Sequence, residues 1–196
     1  MSSNNSKARI LDVALALITK RKGADVNMAE IAKAARVSRQ AMYLHFADRA
    51  DLMLAVVRHA DEKRGIENEI RKIRNAPTGV AAMDEMVAMQ ARTNPGIWAI
   101  ARALDAVRRT DTDAEQGWQD RLKYRHQGCV QIVARLHQDR TLRPGISPEE
   151  AADLLWNITS LRTWEDLVLV RGWTAAQYQE RVTRLLRNAL TNVQSM

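Results

Sequence analysis

The side chains most able to act on another molecule lie together between Asn27 and Asp51, in the run NMAEIAKAARVSRQAMYLHFADRAD. Arg39, Gln40, Ala41, Tyr43 and Leu44 follow one another on a short segment that opens at Ser38. Arginine forks onto the O6 and N7 of guanine, glutamine pairs with the N6/N7 edge of adenine, and an apolar side chain rests on a thymine methyl. Asn27, Ser38, Tyr43, His45 and Arg49 carry groups that hydrogen-bond phosphate oxygens, contacts that set register without reading sequence. Together they suit double-stranded DNA approached through its major groove.

Such a set works only if the backbone holds it out on one face. Asn27 is a good N-cap, and Glu30 three residues on completes a capping box for a helix over Met28 to Ala35. Arg36 and Val37 make a turn. Ser38 caps a second helix, and Val37 is spaced from Met42 as a hydrophobic staple. Met42 and Phe46, four apart, fall on the inner side with Val37, so Arg39, Gln40, Tyr43 and Leu44 point elsewhere.

The stretch MAEIAKAARVSRQAMYLHFADRADLM resembles the helix-turn-helix of the TetR (tetracycline-repressor) family of bacterial regulators. The matching positions are Ile31-Ala32, Ala35, Val37-Ser38, Tyr43, Phe46, Arg49 and Leu52. The chain departs from the pattern at Arg36, where the turn usually holds glycine, and a left-handed arginine costs roughly 1–2 kcal/mol. It departs again at Leu44, where a polar or aromatic residue is common. The resemblance covers about the first quarter of the chain. It implies an all-α fold, with an N-terminal three-helix DNA-binding domain over residues 1–50 and a C-terminal helical bundle over 51–196 for ligand binding and dimerisation.

Composition agrees with a DNA partner. The chain has 196 residues and a net charge of +7. Residues 1–64 hold 12 Lys and Arg against 7 Asp and Glu, so most of the excess sits in the first third. The lone Cys129 excludes an internal disulfide. The start, MSSNNSKAR, has no apolar run, and no stretch suits a membrane span; a cytoplasmic location is expected, with no membrane partner. No nucleophile motif, Gly-rich phosphate loop or paired acids stand out, so neither enzymatic activity nor a cofactor is expected. His126, Cys129 and His137 do not form a regular metal-binding quartet.

Periodicity predicts helices along the whole chain. The first runs from Ser6 to Lys22 after a disordered start over residues 1–5, and closes on a solvated basic trio, Lys20 to Lys22, before Gly23; Lys7 near its start is within range of a phosphate. A long one follows from Asp48 to Arg74, kinked or broken at Gly65. Asn94-Pro95 should open another helix, Asp113 with Gln116 should cap the next, and Ser147-Pro148 and Thr174 should start the last two. Large or adaptable apolar side chains for an effector are Met83, Met86, Trp98, Leu104, Trp118, Leu122, Cys129, Trp156 and Trp164, with Arg102, Asp105, His126 and Asn157 to orient it. Leu154, Leu155, Ile158, Leu161, Leu185, Leu186 and Leu190 form stripes that suit burial within one chain or against a second copy; the resemblance implies a homodimer built on them. The resulting expectation is a repressor of a palindromic operator, released by a small, largely apolar effector. A transcriptional activator, or a regulator whose bundle recruits a protein partner, is the alternative.

Overall fold

The computed structural model describes residues 3–24 and 26–192, with side chains from residue 5 onward. Among them the chain is all-α: no strand forms, and only an isolated antiparallel bridge joins Leu142 to Thr191. No described helix is long and apolar enough to cross a membrane. The helices are α1 (Ser3–Lys20), α2 (Met28–Ala34), α3 (Arg39–His45), α4 (Arg49–Arg64), α5 (Ile66–Arg74), α6 (Gly79–Arg108), α7 (Thr112–Gln138), α8 (Pro148–Ile158), α9 (Leu161–Trp164) and α10 (Ala175–Leu190). A π-helical segment, Glu165–Val170, continues α9.

Several helix boundaries differ from expectation. Helix α1 already includes residues 3–5, predicted to be disordered; residues 1 and 2 lie outside the described part. At Gly65, where a kink or break was expected, the helix breaks, because the left-handed φ of 63° there separates α4 from α5. Pro95 opens nothing: α6 runs through it. The missing amide and the ring clash cost a helix interior about 3 kcal/mol, and burial of Ala91, Thr93 and Asn94 before it and Ala99 and Ile100 after it holds the helix together. Asp111, not Asp113, caps α7, accepting the amides of Asp113 and Ala114 at 3.0 Å each. Helix α8 also stops at Ile158, where Ser160 starts α9 by accepting the Thr163 amide at 3.1 Å.

The chain forms two compact units. One comprises the chain up to Arg64 with Gly96–Arg121; the other comprises Gly65–Pro95 with the chain from Leu122 onward. The first is built on Ile10, Ile18, Ile31, Met42, Phe46, Leu52, Val56 and Leu104, all nearly inaccessible. In the second, Met83, Val87, Leu136, Leu155, Trp164, Tyr178 and Leu186 fill the interior.

Gly23 shows how closely the first unit is packed. Its φ is +78°, and a Cβ placed on it would stand 2.6 Å from the Ala99 carbonyl oxygen and 2.7 Å from Arg102 Cβ. Gly23→Ala is therefore expected to lower stability by roughly 2 kcal/mol, through left-handed strain and overpacking combined. Urea unfolding checks this; an unchanged midpoint would show that the loop simply moves aside.

Candidate nucleic-acid interface

Helix α2 begins as its sequence dictates. Asn27 Oδ1 accepts the Glu30 amide at 2.9 Å, and Glu30 Oε2 accepts the Asn27 amide at 3.2 Å. Arg21 then forks onto Glu30, with Nη2 to Oε1 at 2.9 Å and Nη1 to Oε2 at 3.2 Å. Those guanidinium bonds, with the Asn27 amide, hold the Glu30 carboxyl below the usual carboxylate range. The basic trio after α1 is thus not merely a solvated helix end, since Arg21 ties that end to the start of α2.

The turn after α2 uses Arg36 in the left-handed conformation, φ 52°, where glycine is the easier choice. The Val37 amide reaches back to the Ala32 carbonyl at 3.0 Å, closing the helix end. Ser38 Oγ accepts the Ala41 amide at 3.0 Å and so starts α3. Over its two turns Met42 and Phe46 are each 1% exposed, while Tyr43 is 47% and Leu44 79% exposed. Arg39 and Gln40 are exposed and Ala41 is half-buried. The Arg39 guanidinium lies 5.7 Å above the Tyr43 ring, which braces both side chains. Asp48 Oδ1 accepts the Asp51 amide at 2.9 Å and Asp51 Oδ2 accepts the Ala47 amide at 3.1 Å. That reciprocal pair opens α4 directly after α3 and places Arg49 in its first turn.

Four of the nine proposed DNA contacts, Asn27, Arg39, Tyr43 and Arg49, line one cleft of about 330 Å³. Met28, Ala29, Ala32 and Met42 complete its lining. An amide, a phenol and two guanidiniums thus surround an apolar floor, an arrangement suited to a phosphate flanked by sugar. His45 sits differently. Its Nε2 is 2.6 Å from Ser6 Oγ, so this nitrogen is engaged by α1. Two further α1 residues support the same pair of helices: Arg9 Nε donates to the Ala35 carbonyl at 3.0 Å, and Lys7 Nζ lies 5.6 Å from the Phe46 ring centroid. The sequence assigned Lys7 to phosphate and nothing to Ser6 or Arg9. Their partners are 26 to 39 residues away, and no local pattern announces such pairs.

The ten residues proposed for an effector do not fall in one unit. Trp98, Arg102, Leu104 and Trp118 belong to the first; Met83, Met86, Leu122, His126, Trp156 and Trp164 belong to the second. Leu104, Met83, Met86 and Trp164 are buried. Arg102 covers the Trp98 ring at 5.1 Å and Arg108 covers Trp118 at 4.9 Å. His126 Nε2 lies 2.9 Å from Asp153 Oδ1. Asp105, another proposed orienting group, is bound to Arg108 and Arg109 at 2.7 and 2.9 Å.

The proposed pairing residues divide by face. Leu155, Leu186 and Leu190 have no accessible surface and pack inside the chain's own core, which corrects their assignment to an interface. Leu154 and Leu185 are exposed, and Ile158 and Leu161 are half-buried. Leu169 and Val170, on the π-helical segment and absent from the sequence-based set, are exposed as well.

Residues 10–56 match the sequence model described as bacterial regulatory proteins, tetR family. No curated protein matches the chain in sequence. Its fold recurs in solved structures. A protein from Saccharomonospora viridis in complex with choline superposes with a TM-score of 0.81 at 16% identity, covering 97% of this chain and 100% of its own. The transcriptional regulator FadR from Bacillus subtilis, in complex with stearoyl-CoA, gives 0.72 at 18% identity over 91% of this chain and 96% of its own. NalD from Pseudomonas aeruginosa, the secondary repressor of the MexAB-OprM multidrug efflux pump, gives 0.73 at 16% identity over the whole of both chains. At these identities the similarity is one of fold.

Proposed function

We propose that this chain, whose residues 10–56 match the model of the tetR family of bacterial regulatory proteins, is a homodimeric transcriptional repressor of that family that leaves a palindromic operator when a small molecule binds it. The observation that carries the proposal is α3 itself. Behind Ser38, Met42 and Phe46 anchor one side of the helix in the core, and Arg39, Gln40, Tyr43 and Leu44 are left on the other. Arg39, Gln40, Ala41 and Leu44 then face base edges. Asn27, Ser38, Tyr43, His45 and Arg49 hold the backbone.

A helix of seven residues reads few bases. Pairing two copies places two such helices in successive major grooves, roughly 34–36 Å apart. The exposed residues Leu154 and Leu185, with Ile158 and Leu161 beside them, are the candidates for that pairing. Two proteins of this fold were solved with small molecules bound, and a third is a repressor. By analogy an effector shifts α4, which follows the helix pair directly and ends at the left-handed Gly65. The heads then no longer fit one operator. The effector needs only to favour the released form; a tenfold preference corresponds to about 1.4 kcal/mol.

Comparing two variants on a recovered operator tests the proposal. Arg39→Ala is expected to lower discrimination between operator and scrambled DNA by about tenfold, the effect of losing one base-reading fork. Arg49→Ala is expected to weaken both DNAs alike and to make binding less steeply salt-dependent, as loss of a phosphate contact does. If both variants match the parent through a salt titration, α3 does not read DNA in this way.

A further inference from the structure

The second unit holds a cation that its surroundings only half match. Arg125, on α7, is half-buried, and all its hydrogen bonds run from one nitrogen. Nη1 donates to the Trp156 carbonyl at 2.7 Å and, more weakly, to the Thr159 carbonyl and hydroxyl at 3.4 Å each. The guanidinium lies 4.7 Å over the Trp156 ring. Among the described residues no carboxylate pairs with it, and none hydrogen-bonds its Nε or Nη2.

The two acids that act on it electrostatically do not supply a counter-charge. Cys129, one turn along α7, and Tyr178 are weak acids; burial pushes the thiol up to about 11 and the phenol up to about 12. Both are neutral near pH 7, and burial also pulls the Arg125 pKa down from its ordinary value. The Trp156 and Thr159 carbonyls end α8. A helix C-terminus is equivalent to roughly half a negative charge, so capping α8 accounts for only part of the guanidinium's charge. Gln90 and Tyr178 are already engaged with each other and with the end of α8. Gln90 Nε2 donates to the Thr159 carbonyl at 2.7 Å, and the Tyr178 hydroxyl donates to Gln90 Oε1 at 3.0 Å. What the described part of this unit leaves buried without a partner is donors: Asn94 Nδ2, one turn beyond Gln90, and the indole N–H groups of Trp156 and Trp164. Of these, the Trp156 indole N–H belongs to the ring beneath the guanidinium, and a spare donor beside a cation suits a ligand group that only accepts.

We infer that Arg125 is the docking point for the carboxylate of an otherwise apolar effector acid, received on its Nε–Nη2 edge with Trp156 beneath. This rests on the proposal that the chain responds to an effector, and it names that effector's chemical class. Two parallel N–H···O bonds from a guanidinium edge match a carboxylate in geometry and charge. A quaternary ammonium has no such place here, because the Trp156 face that would attract it is already covered by Arg125.

The test uses the full chain and matched probes: octanoate, octanamide and octyltrimethylammonium, with 3-phenylpropionate and its amide as an aromatic pair. Binding is measured by titration calorimetry on the parent, Arg125→Gln and Arg125→Lys. At least one acid is expected to bind the parent tenfold or more tightly than its amide. Arg125→Gln should erase that preference and leave amide binding unchanged. Arg125→Lys, which keeps the charge and loses the fork, should retain part of it. Because Arg125 also caps α8, each variant's melting temperature is recorded, and Arg125→Lys carries the test if the glutamine variant does not fold. Acids that bind no tighter than amides, acids that bind Arg125→Gln as well as the parent, or a panel in which no acid binds would each overturn the inference. Operator release followed by fluorescence anisotropy separates the two proposals. Release by an amide or the ammonium without preference for acids removes the carboxylate site and leaves the effector reading standing. Arg125-dependent acid binding without release keeps the site and removes the release mechanism.

Discussion

Leu44→Glu is expected to weaken operator binding by about 100-fold or more while leaving the melting temperature within error of the parent. The side chain is 79% exposed, so it contributes little to the core, and surface substitutions of this kind usually stay within about 0.5 kcal/mol. Glutamate also matches leucine closely in helix propensity. On DNA the balance changes. Leu44 shares the outward side of α3 with Arg39, Gln40 and Tyr43, and a carboxylate there meets the negative walls of the groove. Like charges brought together at an interface cost several kcal/mol. A dimer carries the change twice, so even about 1.4 kcal/mol per head compounds to roughly 100-fold. Leu44→Ala, which removes only an apolar contact, should lose far less. Anisotropy titrations on a labelled operator, with circular dichroism as the control for folding, decide it. Leu44→Glu binding within twofold of the parent would mean that this face of α3 does not enter a groove.

Phe46→Ala should have the opposite signature, with a large loss of stability and a loss of DNA binding only as a consequence. Phe46 is 1% exposed and is the C-cap residue of α3, its amide donating to the Met42 carbonyl at 3.0 Å. Its ring also lies beneath Lys7 and beside His45, which is itself tied to Ser6. Removing a buried phenyl ring typically costs about 3–5 kcal/mol. That is a large share of the roughly 5–15 kcal/mol that holds a domain folded. For a chain of this size the melting temperature should fall by roughly 10 °C. At low temperature, where the variant is still folded, its salt dependence on operator should match the parent's, because no phosphate or base contact has been removed. A variant that melts like the parent would show that the helix pair is not anchored through Phe46.

The two expectations separate because Leu44 and Phe46, two residues apart on one short helix, face opposite ways, and that much could be read from the sequence. The caps at Asn27, Ser38, Ser147 and Thr174 were legible for the same reason: each is a side chain bonding a backbone amide three residues on, an arrangement complete within four residues. Tertiary structure alone decided the rest. Leu154 and Leu155 are adjacent members of one apolar run, and only the packing of α8 sends Leu155 inward and leaves Leu154 out. Pro95 carries a strong local signal for a helix start, and burial on both sides of it overrides that signal. Ser6 with His45, and Arg125 with the end of α8, join residues 31 to 39 apart. Periodicity says which side of a helix is apolar; it does not say which distant group that side will meet, nor which charge will be left without its counterpart.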